Sequence, residues 1–218
     1  MTGWPPSTLE QQALGPILNP NELGATPDAV VALARSSRYR PQFVAAFESE
    51  PGIFDVAAAL ASYVRTIVAG DAPFDRFIAG DASAIGESAR RGFALFRTHA
   101  RCTTCHAGPL LSDERFHNTG VAWRTGTVTD EGRYRVTQAP ADRGAFKTPT
   151  LREIARTAPY MHDGSIPSLA EVIDFYDSGG VPNPGLDREI RPLQLSKTEK
   201  QDLLAFLRSL TGTIREGM

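Results

Sequence analysis

The sequence predicts an all-α protein with long loops. Three observations carry that expectation: apolar residues recur at helical spacing behind recognisable start signals, strand-type alternation is almost absent, and no internal repeat or low-complexity segment breaks the pattern. A Gly/Ala/Ser stretch, "AGDASAIGES", places the best domain boundary at 84/85, with a helical segment at 1–84 and a second domain at 85–218.

The elements follow in chain order. "TPDAVVALARSS" puts Thr26 at an N-cap and Pro27 at the first helical position. "FDVAAALASYVRTIVAG" reads as an Ala-rich apolar helix that Gly70 would end. "ARRGFALFRTHARCTTCH" reads as a helix carried through to His106. From His106 to Thr150 the chain reads mostly as loop. "SLAEVIDFYDSGG" opens with a capping box, Ser168 to Glu171, and stops at Gly179-Gly180. "SKTEKQDLLAFLRSLTG" repeats the device with Ser196 and Glu199, and its Leu203, Phe206, Leu207 and Leu210 share one face.

Composition excludes some classes. A chain of 218 residues can bury a sizeable core, and its 41% apolar and 22% charged residues are ordinary for a globular protein. Lys plus Arg number 23 against 25 Asp plus Glu, so there is no clustered positive charge to meet nucleic acid. No run of 18 apolar residues exists to span a membrane, and "MTGWPPSTLE" lacks the pattern of a signal peptide.

The chemistry concentrates in "ARCTTCHA". It holds both cysteines of the chain, as C-x-x-C-H. On a helix Cys102, Cys105 and His106 would project from one turn, which suits two thioethers on a porphyrin edge and an imidazole on its iron. A structural zinc site wants four ligands, usually a second C-x-x-C or a His pair, and neither exists here. A thioredoxin-like pair would sit among strands, which this chain hardly has. Covalent haem c is therefore the expected cofactor. The sixth iron position has five candidates: His99, His117, Met161, His162 and Tyr176. His99, close before the motif, is expected to be exposed. Leu169, Val172, Ile173 and Tyr176 share an apolar helical face. From that spacing a core tyrosine bonded to a backbone carbonyl is favoured over an iron ligand, and Met161 reads first as a core gap-filler.

Three stretches, "RGFALFRTHARCTTCHAGPLLSDERFHNTGV", "GAFKTPTLREIARTAPYMHDGSIPSLAEVIDFYDSGG" and "LSKTEKQDLLAFLRSLTG", resemble the C-terminal haem domain of the bacterial di-haem cytochrome c peroxidase/MauG family. "LEQQALGPILNPNELG" and "DAPFDRFIAGD" extend the resemblance over nearly the whole chain. It implies a cytochrome c-like haem domain with an N-terminal helical extension, and electron delivery for the reduction of hydrogen peroxide. The alternative is a mono-haem electron carrier without catalysis; a haem-free interaction domain is the third reading. Cys102, Cys105 and His106 match the attachment motif and proximal ligand of the second, electron-transferring haem. Tyr176 falls where the peroxidases place a methionine ligand and the MauG branch a tyrosine, so the resemblance favours it as sixth ligand and demotes Met161. Lys147 and Arg152 read either as solvated charge or as partners of haem propionates. Thr157 and Pro159 match backbone calcium ligands, although the family's side-chain ligand for that ion has no counterpart here. Gln12, Pro16 and Glu22 match the distal pocket of the first haem, with Glu22 the acid–base carboxylate; the bland reading of Glu22 is a loop carboxylate. Trp4 matches an inter-haem tryptophan. The MauG branch has a tryptophan two residues before its second motif, where this chain has Ala100. The resemblance also implies a start partway through the first haem domain, a small electron-donor protein of cytochrome c or cupredoxin type, a separate first-haem chain or a homodimer partner, and a periplasmic location.

Overall fold

The computed structural model describes residues 8–216; Trp4 lies outside them. The chain divides into two compact units, one of residues up to 68 with those from 214 onward, the other of residues 69–213.

The first unit holds α1 (Leu9–Leu18), α2 (Pro27–Ala34), α3 (Arg40–Phe47) and α4 (Ile53–Thr66). Thr26 caps α2 as expected, its hydroxyl accepting from the Ala29 amide at 3.2 Å with Pro27 in the first turn. α1 and α2 lie on α4 through small side chains; the buried ones are Ala34, Ala57 and Ala61. Arg65 ties α4 to Glu10 of α1 at 2.8 Å. α4 stops at Thr66, short of Gly70, and 68–70 forms strand β1 (Val68–Gly70). Thr66, Ile67 and Val68 are β-branched in succession, which disfavours helix and favours extended chain.

The second unit begins earlier than the Gly/Ala/Ser stretch suggested. Its first helix, α5 (Pro73–Ile78), inserts Phe74 into the core and packs Phe77 against it. Segment 69–84 therefore belongs with the haem-motif domain. α6 (Glu87–Arg97) follows. The expected helix through the motif ends at Arg97: the Ala100 amide turns back to Leu95 O at 3.0 Å, and Arg101 takes a left-handed φ of 53°.

Between His106 and Thr150 short ladders accompany the loops. β2 (Phe116–His117) and β3 (Trp123–Arg124) come first; β3 forms a hairpin with β4 (Thr127–Val128) around Thr125-Gly126, both at positive φ. After α7 (Tyr134–Thr137), β5 (Phe146–Lys147) pairs antiparallel with β2. The helical expectation holds, with these two-residue ladders added to it.

α8 (Leu169–Asp177) and α9 (Lys197–Arg208) complete the unit, and strand β6 (Thr213–Arg215) straddles its end. On α9 the capping box is complete: Glu199 accepts from the Ser196 amide at 2.8 Å, and Ser196 accepts from the Glu199 amide at 3.3 Å. On α8 only half of it forms, because the Glu171 carboxylate bonds the Ser168 hydroxyl at 3.0 Å instead of the backbone. α8 ends at Gly179 and Gly180, with φ of 86° and 68°, as the amide of Gly180 reaches back to Phe175 O at 3.0 Å. The core forms where α6 lies on α9. Phe74, Phe93 and Phe206 meet with ring centroids 4.8–5.3 Å apart. Leu203, Phe206, Leu207 and Leu210 are all buried, as their spacing predicts.

Candidate functional site

The second unit encloses a cavity of about 530 Å³. That lies within the span of small-molecule and cofactor sites, roughly 300–1,000 Å³. α6 contributes Phe96, α8 contributes Leu169, Val172, Ile173 and Tyr176, and α9 contributes Leu203 and Leu207. The apolar face of α8 read from the sequence is thus a cavity wall.

Cys102, Cys105 and His106 line the same cavity, on a 3-10 turn (Cys102–Thr104) and the residues after it rather than on a continuing helix. The turn still gathers them, because the His106 amide bonds Cys102 O at 2.8 Å, one helical repeat. His106 Nδ1 lies 2.8 Å from Leu111 O. A carbonyl only accepts, so Nδ1 carries the proton and Nε2 keeps its lone pair for a metal. Burial lowers the pKa of His106, which also favours the neutral imidazole that coordination requires. Both cysteines are free thiols. Burial pushes Cys102 up to about 12 and Cys105 up to about 11, the latter helped by Asp113, Asp187 and Glu189. These are protonated, inert thiols at neutral pH, not activated thiolates.

Tyr176 faces the thiols. Burial raises its pKa, and the charge of Cys102 and Cys105 adds to the effect. The backbone-carbonyl partner expected from spacing is not found: among the described residues no hydrogen bond to its hydroxyl is made, whereas buried Tyr160 donates to Ile154 O at 2.9 Å. A cavity-lining tyrosine whose hydroxyl has no hydrogen-bond partner among the described residues leaves that oxygen available to a ligand. The other candidates differ in their surroundings. His99 is exposed, with Nε2 2.7 Å from Leu193 O. His162 stacks on Phe146 at 3.5 Å between centroids. Met161 lines the cavity at a positive φ of 69°.

Lys147 and Arg152 both line the cavity, and each has a carboxylate partner: Lys147 Nζ lies 3.1 Å from Glu114, and Arg152 lies 2.5 Å from Asp75 while donating to Pro109 O at 2.9 Å. Neither is a free surface charge. Thr157 and Pro159 also line it. No group of three or more carboxylate, Cys or His donors accompanies these two among the described residues. Gln12 and Glu22 belong to the first unit, and both are exposed. Glu22 accepts from Asn19 Nδ2 at 2.7 Å, as a loop carboxylate does. No hydrogen bond joins Gln12 to it.

The sequence reading missed a cluster beside the motif. His117 is held on both sides, Nδ1 2.6 Å from Asp187 and Nε2 2.9 Å from Asp113, which rules it out as an iron ligand. Cys105, Asp113 and His117 place donor atoms within 4.8 Å of one another. Burial tends to raise Asp113, but bonds from His117, the Arg115 amide and Thr148 outweigh it and hold it at about 2. Burial tends to lower His117, and bonds to Asp187 and Asp113 outweigh that, so its pKa is raised.

Comparisons with known proteins show the family to which the chain belongs. The family model described as di-haem cytochrome c peroxidase matches residues 5–83. The methylamine utilization protein MauG of Methylorubrum extorquens is 44% identical over 206 residues, covering 93% of this chain and 58% of that protein. Cytochrome c peroxidase of Escherichia coli is 31% identical, over 94% of this chain and 43% of its own length. The chain therefore spans about half the length of these curated relatives. A crystal structure described as a MauG-like protein associated with microbial copper homeostasis superposes with a TM-score of 0.87 at 34% identity, covering 94% of this chain and 69% of that one.

Proposed function

The chain belongs to the di-haem cytochrome c peroxidase family, and on that premise we propose that residues 69–213 form its electron-transferring haem domain. The observation that carries the proposal is an apolar cavity lined by Cys102, Cys105, His106 and Tyr176 together.

The residues present fit haem c. Cys102 and Cys105 would hold the group through thioethers; His106, its tautomer fixed by Leu111 O, and Tyr176 would supply the nitrogen and oxygen ligands to its iron. Haem c, when bound, supplies a one-electron carrier whose potential the anionic tyrosine oxygen sets below that of a methionine-ligated one. Phe96, Leu203 and Leu207 exclude water from the site. Lys147, whose pairing with Glu114 is half exposed, is the cation available to a propionate; Arg152, fastened to Asp75 and Pro109, holds the wall instead.

Such a domain would take electrons from a small donor protein of cytochrome c or cupredoxin type in the periplasm and supply them for the reduction of hydrogen peroxide, in which one peroxide, two electrons and two protons give two waters. These 218 residues carry one attachment motif, so a second, peroxidatic haem would lie outside them. The exposed positions of Gln12 and Glu22 favour, as the second reading, a mono-haem electron carrier with no catalysis of its own.

Intact mass of the chain made in a host that matures c-type cytochromes tests the proposal. One added haem, resistant to acid acetone, is expected; a mass without it refutes the assignment. Peroxide turnover measured with and without a first-haem partner separates the two readings.

A further inference from the structure

The cluster beside the motif has no part in the proposed function so far. Two carboxylates address the two ring nitrogens of His117, at 2.6 and 2.9 Å. A carboxylate only accepts, so both nitrogens donate, and a ring with two N–H groups is a cation. His117 is four-fifths buried and lines the haem cavity. It also joins three segments. Asp113 is fastened to the motif, its amide bonding Cys105 O at 2.7 Å. His117 itself lies on β2, paired with Phe146 of β5. Asp187 heads the turn before Glu189, its amide bonded to Asn118 O at 2.9 Å.

We propose that His117 is a positioning residue of the haem site: clamped between Asp113 and Asp187, it fixes the segment carrying Cys105 and holds a positive charge at the edge where that sulfur attaches. This rests on the haem assignment above. The same three donors do not make a metal site, because both imidazole lone pairs are committed and Cys105 is spent on the haem.

The charges facing His117 set the sign. From the motif segment come Asp113, the neutral Cys105 and, further off, His106; from the turn come Asp187 and Glu189; from the paired strand comes Lys147, already neutralised by Glu114. With the imidazolium in place the clamp carries one net negative charge, and without it two. More negative charge beside an iron favours the ferric form, so His117 holds the potential up. The raised pKa of His117 means this support reaches to higher pH than an ordinary imidazole would give and fades as pH rises through the raised value.

Spectroelectrochemistry of the haem-loaded chain across pH 5–9 tests the assignment, with His117→Gln and His117→Arg beside the parent. The parent potential should fall as pH rises through the raised His117 value, above the ordinary 6.5. His117→Gln should lie lower at acid pH and lack that share of the fall; His117→Arg should stay high and flat. A His117→Gln profile that coincides with the parent overturns the proposal while leaving haem attachment, checked by mass, intact. Absent haem in the parent instead refutes the haem assignment. If neither variant retains haem, the ring ¹⁵N shifts of His117 in the parent decide: both nitrogens protonated at pH 7 support the clamp, and a neutral ring there overturns it.

Discussion

Gly92 sets two effects against each other. It sits inside α6, where replacing Gly by Ala in an open helix gains about 1 kcal/mol. Here the space is not open. A Cβ at Gly92 would stand 1.9 Å from the backbone oxygen of Asp202 and 2.9 Å from Phe206 Cβ. The first obstacle is backbone of α9 and has no rotamer to escape into, so the two helices must separate by about 1 Å to reach a tolerable contact. Overpacking of this kind costs about 1–3 kcal/mol, and a rigid obstacle belongs at the upper end. Sterics therefore win, with a net loss of about 2 kcal/mol in Gly92→Ala. At about 2–4 °C per kcal/mol for a chain of this size, thermal unfolding should move down by about 5 °C. Gly15, inside α1 with nothing within 4 Å of its missing Cβ, is the control: Gly15→Ala should leave the melt unchanged or raise it. Calorimetry or far-UV circular dichroism reads both. If Gly92→Ala melts at or above the parent, α6 and α9 do not approach as closely as described, and the cavity between Phe96, Leu203 and Leu207 is shaped differently.

Tyr176→Phe should shift the ferric absorption spectrum toward a high-spin, open-site form, whereas Met161→Leu should leave it nearly unchanged; the reverse pattern would move the sixth ligand to Met161. The clamp should also make stability depend on pH. Its His117 share is complete below pH 6.5 and lost as pH rises through the raised value; its Asp113 share is complete above pH 3.8 and lost as pH falls toward about 2. The melting difference between parent and His117→Gln should therefore be largest between about pH 4 and 6.5, and a difference constant from pH 3 to 9 would count against it. Glu22→Gln, at an exposed loop carboxylate, should barely change peroxide turnover of the chain alone; a large loss would show a peroxidatic site already assembled.

What the sequence made legible was local. The face of Leu169, Val172, Ile173 and Tyr176 repeats at 3.6 residues, and a wall of α8 needs nothing else to be read. Ser196 and Glu199 announce their box three residues apart. The end of α6 at Arg97 was not legible, because Arg101 adopts a left-handed φ that its side chain does not advertise. β2 and β5 were missed because two residues are too few to show alternation. The clamp was invisible for a topological reason: Asp187 lies 70 residues from His117, and only the folded chain brings them together. Arg152 shows the same limit, since its partner Asp75 is 77 residues away and lies in a segment that composition assigned to the other domain.

The division of labour follows from what an iron must do in each half of the reaction. Delivering electrons calls for an iron whose ligands change little as it changes charge, which two protein ligands held on packed elements provide. Cleaving peroxide calls for an open position and a carboxylate within hydrogen-bond reach to move protons between the two oxygens. In this chain His106 is fixed through Leu111 O, Tyr176 projects from a helix anchored by buried Leu169 and Ile173, and both address one cavity. Of the carboxylates, Glu22 is exposed on the first unit, Asp113 and Asp187 are both bonded to His117, and Glu189, which lines the cavity, pairs with Arg101 at 2.5 Å. Carboxylates matched in this way by cationic or imidazole partners suit the proposed passage of electrons better than acid–base catalysis on peroxide, which needs a carboxylate free to take up and release a proton.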